Sequence, residues 1–173
     1  MRQNFNSIHN INTIILDIDG VLTDGRIGYG ATDEIKFFHV RDGHGLKLAS
    51  RAGFKLGILS GRMAECNRRR AQELGFDFII EGCHDKKSGF AELLLQQNLK
   101  AENCLHMGDD VVDIPVMRQA GWAVTVADAP KMVAEYCDWQ TALPGGHGAV
   151  REMVEKLLRA QNKFDSVMER YIS

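Results

Sequence analysis

Ile14-Ile15-Leu16-Asp17-Ile18-Asp19-Gly20-Val21-Leu22-Thr23-Asp24 is the stretch whose reading decides the fold. Ile14 to Leu16 form a short apolar, partly β-branched run that suits a strand buried on both faces, and Gly20 ends it. Residues two apart on a strand point the same way, so Asp17 and Asp19 leave the sheet together at the strand's carboxyl end. Open α/β sheets bind ligands there. Two carboxyl groups so close repel, and they are tolerated where a cation lies between them or where one keeps a proton. Aspartates beside a glycine also form turns by bonding to nearby amides, so the rest of the chain must decide between turn and metal site.

Working outward, Gly25 to Val40 reads as a β-hairpin projecting from the end of the first strand, a flap or an edge hairpin. Asp42 is a suitable N-cap for a helix to Ala52, with Gly53 after its end. Phe54–Leu59 reads as a second buried strand, cut off by Ser60-Gly61-Arg62. A helix over Met63–Leu74, a third strand over Phe76–Ile80 and a helix capped by Asp85 follow. Lys86 and Lys87 stand in the first turn of that helix, where a positive charge opposes the dipole and calls for an anion nearby, unless the two lysines are simply solvated. Cys104–Met107 is a fourth strand, followed by Gly108-Asp109-Asp110-Val111-Val112-Asp113-Ile114-Pro115. Trp122–Val126 is a fifth strand, Asp128-Ala129-Pro130 starts a short helix, and Trp139 marks a sixth strand. Gly145-Gly146-His147-Gly148 leads into a helix from about Ala149 toward residue 170, with Val150, Met153, Val154, Leu157 and Leu158 on one stripe. Strands alternating with helices predict a doubly wound (Rossmann-like) parallel α/β sheet over the whole chain, 1–173, with no insertion long enough for a cap domain.

Length and composition fit one ordinary globular domain of 173 residues. The formal net charge of -2 gives no global pull toward nucleic acid or an anionic membrane. The four cysteines are far apart and lack the paired spacing of a zinc site, so they read as reduced thiols. Met1 to Asn12 is polar, without the apolar stretch of a signal peptide or a membrane span, and a cytoplasmic location is the expectation.

Four strand ends thus carry polar residues: Asp17 and Asp19, then Ser60, then Lys86, then Asp109, Asp110 and Asp113. In a doubly wound sheet these ends share one crevice. Carboxylates suit a hard divalent ion such as Mg2+, while a hydroxyl, a lysine and backbone amides suit a phosphate. The combination predicts phosphoryl transfer with Asp17 as nucleophile, forming an aspartyl phosphate, and Asp19 as general acid and base. Ser60 and Lys86 would hold the remaining phosphoryl oxygens.

The ordered set Asp17-x-Asp19-Gly20, Ser60-Gly61-Arg62, Lys86 and Gly108-Asp109-Asp110-Val111-Val112-Asp113 resembles the haloacid dehalogenase superfamily. Asp17 to Gly25, Val40-Arg41-Asp42-Gly43 and Gly145-Gly146-His147-Gly148-Ala149-Val150-Arg151-Glu152 resemble its capless subgroup, which contains the 3-deoxy-D-manno-octulosonate 8-phosphate phosphatases. The resemblance implies hydrolysis of that sugar-acid phosphate in lipopolysaccharide core precursor synthesis, Mg2+ as cofactor and a homotetramer. It implies Mg2+ ligands from Asp17, the backbone carbonyl of Asp19, and Asp109, with Asp110 and Asp113 as support. Ser60, Gly61 and Lys86 would bind phosphate. Arg62, Arg41 and His147 would touch the substrate, the glycine loop reaching a neighbouring subunit's site. The same scaffold also suits a nine-carbon sialic-acid-type 9-phosphate. A receiver-like signalling domain shares the residue types, but receivers place the acidic pair and the phosphorylated aspartate on separate strands, whereas Asp17 and Asp19 share one. A degenerate structural subunit would have no use for the full set.

Overall fold

Thr13–Leu16 forms strand β1, and every residue of it is buried. The computed structural model describes residues 5–172; residues 1–4 of the polar amino-terminal stretch, and Ser173, lie outside the described residues. After β1 come the two-residue strands β2 (Gly28–Tyr29) and β3 (Glu34–Ile35), helix α1 (Val40–Arg51), β4 (Lys55–Leu59), α2 (Glu65–Leu74), β5 (Phe78–Ile80) and α3 (Lys86–Gln96). The second half adds β6 (Cys104–Gly108), α4 (Ile114–Met117), β7 (Trp122–Thr125), α5 (Lys131–Ala134), β8 (Trp139–Gln140), α6 (Ala149–Ala160) and α7 (Phe164–Ile172).

The sheet has six strands in the order β5-β4-β1-β6-β7-β8, all paired in parallel. β1 is central, and the chain winds outward from it in both directions, to β4 and β5 on one side and to β6, β7 and β8 on the other. This is the strand order of a doubly wound α/β fold, and it puts the switch point, and with it a crevice, at the carboxyl end of β1. One face is covered by α1, α2 and α6, burying Leu46, Leu48, Leu74, Met153, Val154, Leu157 and Leu158 against Ile14, Leu16, Leu105 and Met107. On the other face Ile15, Leu59, Phe90, Leu93, Cys104 and Val116 form a second cluster. The stripe expected on α6 is buried along its whole length. Each such large side chain adds about 1.5–3 kcal/mol of burial.

Two expectations are corrected. Asp42 does not cap α1: the helix starts at Val40 after His39, and Asp42 is buried in its first turn. Its carboxylate instead accepts from the amides of Gly148 (3.1 Å) and Arg151 (2.7 Å) at the start of α6. The segment after Ala149 is two helices, broken at Gln161 to Lys163, where Asn162 has φ 55°. The short helix expected from Asp128-Ala129-Pro130 follows as α5, with Pro130 at its N-cap, while Asp128 accepts from the amide of Gly145. Asp85, by contrast, caps α3 as expected, accepting from the amides of Lys87 and Ser88. None of the four cysteines is joined in a disulfide; Cys104 and Cys137 are buried, Cys66 and Cys83 half-buried. No cap domain is present among the described residues.

Candidate active site

Beyond β1 the chain turns so tightly that the amides of Val21, Leu22 and Thr23 all point to the carbonyl of Ile18. Gly20, at φ 84°, makes this turn possible. It also makes room: a Cβ there would lie 2.0 Å from Oδ2 of Asp109, beyond the end of β6. The acids of two adjacent strands are brought together because the residue between them has no side chain.

Asp17, Asp19, Ser60, Gly61, Arg62, Lys86, Asp109 and Asp110 line one cleft of about 260 Å³ at the carboxyl ends of β1, β4 and β6. Asp17 accepts from the Ile18 amide at 2.7 Å, and its Oδ2 lies 2.6 Å from Nζ of Lys86. Lys86 is buried and also meets Oδ1 of Asp113 at 2.7 Å. The first-turn lysine of α3 thus has its anions, and the exposed Lys87 does not share them. Asp113 is fully buried beneath the cleft, capped further by His106. Asp17, Asp109 and Asp113 each bring a carboxylate oxygen within 4.8 Å of the others.

Burial and the neighbouring charges set the electrostatics of the site. Desolvation, with the charge of Asp113, outweighs the attraction of Lys86 and pushes Asp17 up to about 6. Desolvation and the charges of Asp17 and Asp113 push Asp109 up to about 7. Burial works against the charge on Lys86, but the Asp113 and Asp17 carboxylates hold its pKa above the ordinary value. Asp113 is desolvated too, yet the hydrogen bond and charge of His106, with the charge of Lys86, hold its carboxyl below the usual range. Asp17 and Asp109 therefore share an excess of negative charge that one lysine does not neutralise, and the donors fit a hard divalent cation. Asp113, with Oδ1 taken by both Lys86 and His106, acts as the support of Lys86.

The hairpin contributes a residue that the spacing of motifs did not reveal. Lys36, just after β3, is buried, with Nζ at 2.7 and 2.9 Å from the two oxygens of Asp19. Glu34 pairs with Arg62, which holds its carboxyl below the usual range, and it lies 3.6 Å from Lys36. Asp33 accepts from the amide of Cys66 near the start of α2. These charged contacts tie the hairpin down over Asp19 and Arg62. The available signal was Glu34-Ile35-Lys36, whose alternation puts both charges on one side of the strand. Phe38 lies under the guanidinium of Arg70, whereas Tyr29 is 83% exposed.

Two candidate residues lie elsewhere. Arg41 and His147 line a separate groove of about 480 Å³ with His39 and Arg151. The glycine loop does reach a catalytic turn, but from behind and within its own chain: a Cβ on Gly145 would lie 1.8 Å from the Gly20 carbonyl, and Gly146 donates to the Val21 carbonyl.

A doubly wound sheet with acids just past β1, a hydroxyl just past β4, a buried lysine opening α3 and acids just past β6 defines a haloacid dehalogenase-like hydrolase. The family model of that description matches residues 43–121. The 3-deoxy-D-manno-octulosonate 8-phosphate phosphatase KdsC of Escherichia coli K12 is 41% identical over 157 residues, 90% of this chain and 84% of that one. The corresponding structure from Moraxella catarrhalis, in complex with a magnesium ion, a phosphate ion and a KDO molecule, superimposes with TM-score 0.92 at 35% identity, covering 96% of each chain. The cobalt-bound Haemophilus influenzae phosphatase gives 0.88 at 41% identity, covering 91% of this chain and 93% of that one. The chain belongs to the 3-deoxy-D-manno-octulosonate 8-phosphate phosphatase family of these hydrolases, and is a phosphoric monoester hydrolase.

Proposed function

We propose that the protein hydrolyses 3-deoxy-D-manno-octulosonate 8-phosphate to the sugar acid and inorganic phosphate, with Mg2+ as cofactor, in lipopolysaccharide core precursor synthesis in the cytoplasm. The observation that carries this is the convergence of Asp17, Asp109 and Lys86 on one cleft, where burial and neighbouring carboxylates push both acids above the usual range. The Moraxella catarrhalis relative, which holds magnesium, phosphate and KDO together, supports the same reading.

Asp17, Asp109 and the backbone carbonyl of Asp19 would hold the ion. Bound there, it neutralises the two carboxylates and draws charge from the phosphoryl oxygens. A carboxylate oxygen of Asp17 attacks phosphorus as the ester oxygen departs, and Asp19 gives that oxygen a proton. Lys86, Ser60 and the amides at Gly61 and Arg62 hold the phosphoryl oxygens through this step. Asp19, now a carboxylate, takes a proton from water, whose oxygen attacks phosphorus and releases phosphate and Asp17. Lys36, in contact with both carboxylate oxygens, holds and orients Asp19.

Oligomerisation belongs to the same reading. Tyr29, Phe37 and Val40 on and beside the hairpin are each at least 78% exposed, an apolar edge that a homotetramer would cover. Arg41, Arg62 and His147 would contact the substrate, Arg41 and His147 from a neighbouring subunit. Sedimentation is expected to show a tetramer; a fully active monomer contradicts the contribution in trans. Phosphate release from a panel of sugar phosphates, with and without Mg2+, tests the function. The expected result is Mg2+-dependent release that is fastest from 3-deoxy-D-manno-octulosonate 8-phosphate. Faster release from a nine-carbon sugar-acid 9-phosphate would reassign the substrate.

A further inference from the structure

Side chains on β6 alternate between the two faces of the sheet. Leu105 and Met107 join the cluster under α1 and α6, while Cys104 joins the cluster on the other face. His106 goes with Cys104, and it is fully buried. A polar ring in that position needs partners. It has two, and both are acceptors: Nδ1 lies 3.2 Å from the main-chain oxygen of Ile15 on β1, and Nε2 lies 2.9 Å from Oδ1 of Asp113. A peptide carbonyl has no proton to give. Asp113 has none either, since Oδ1 also receives the Lys86 ammonium at 2.7 Å and Oδ2 accepts from the Asp110 amide at 3.5 Å. A neutral imidazole carries one N–H and one lone pair, and would face one of these oxygens lone pair to lone pair.

We infer that His106 is a resident imidazolium and a positioning residue: it closes the inner end of a buried row, Asp17, Lys86, Asp113, His106, whose charges alternate, and thereby holds the Lys86 ammonium against the nucleophile. The positioning role rests on the assignment of Asp17 as nucleophile; the charge on His106 does not. The row explains how four ionisable groups share the interior, because two anions and two cations are each in contact with an opposite charge. With the inner cation removed, Asp113 carries uncompensated charge, and Lys86 is drawn inward to Asp113 and away from Asp17. The loss then falls on the ammonium that serves the transferring phosphoryl group.

Two measurements on the full chain with Mg2+ test this. In histidine-labelled protein at pH 8, where a free imidazole with pKa about 6.5 is neutral, 1H–15N spectra are expected to show both ring nitrogens of His106 protonated. The signals are assigned by their loss in His106→Gln. One unprotonated ring nitrogen overturns the inference. The spectrum needs no substrate, so it stands even if the proposed substrate is not turned over. In kinetics, His106→Gln keeps a donor to Asp113 without the charge, and His106→Phe keeps neither. We expect kcat to fall in the order wild type, Gln, Phe, by about tenfold or more in Phe, with KM changing less than kcat. Wild-type kcat in a folded His106→Phe variant overturns the positioning role; should that variant not fold, the Gln variant at wild-type kcat does the same.

Discussion

Asp17 is pinned from two sides, by the Ile18 amide and by the Lys86 ammonium, so its carboxylate has one orientation. Asp17→Asn keeps the shape and removes the proposed nucleophile, and phosphate release should fall by about 10³-fold or more, measured under saturating Mg2+. Lys36 makes the corresponding contact with Asp19 from the hairpin. Lys36→Met is expected to lower kcat by about 10- to 100-fold with a smaller change in KM, less than the roughly 10²- to 10⁴-fold that a positioned acid or base itself contributes. Lys36→Arg should restore part of the loss. Most of the candidate site at this scale was legible in the sequence, because Asp17, Asp19, Ser60 and Asp109 sit directly at strand ends and Lys86 opens the helix after one, where position along the chain determines position in space. Lys36 was not, since its partner is 17 residues away and joined to it only by the fold of a hairpin with two-residue strands.

At the scale of elements, the strands were read nearly residue for residue, because buried parallel strands are continuous apolar runs closed by glycine or a polar residue. The start of α1 was misplaced for a physical reason: Asp42 satisfies amides 106 and 109 residues further along instead of those of its own helix. Local capping rules see only the near partner. This carboxylate joins α1 to the glycine loop that backs the catalytic turn. Asp42→Ala leaves two amides of α6 without that acceptor and should cost about 1–3 kcal/mol of stability in urea unfolding. Gly20→Ala demands a left-handed backbone angle of a residue with a Cβ and drives that atom into Asp109. We expect it to weaken Mg2+ activation at least tenfold while the far-ultraviolet spectrum stays that of the wild type.

For the whole molecule, the winding of the sheet outward from β1 is what collects acids from the first and fourth strands of the sequence reading into one crevice. Their mutual repulsion is a cost of folding that depends on pH. Asp17 and Asp109 titrate near 6 and 7 when folded, against about 3.9 unfolded. Between those limits the folded state binds more protons than the unfolded state, so the metal-free protein should lose stability as pH rises from about 4 to 7. Mg2+ removes the repulsion, so its stabilising effect should be larger at pH 7.5 than at pH 5. Thermal melts with chelator and with Mg2+ at both values check the sign.

The most direct measurement is acid-quenched turnover with substrate radiolabelled in its phosphate, followed by peptide mapping. Label on the peptide containing Asp17, released by hydroxylamine and absent in Asp17→Asn, is the result expected when Mg2+ is present. Steady turnover of wild type that leaves no label on protein at any quench time, together with an Asp17→Asn variant that keeps its rate, would contradict the assignment of Asp17 as the group that takes the phosphoryl.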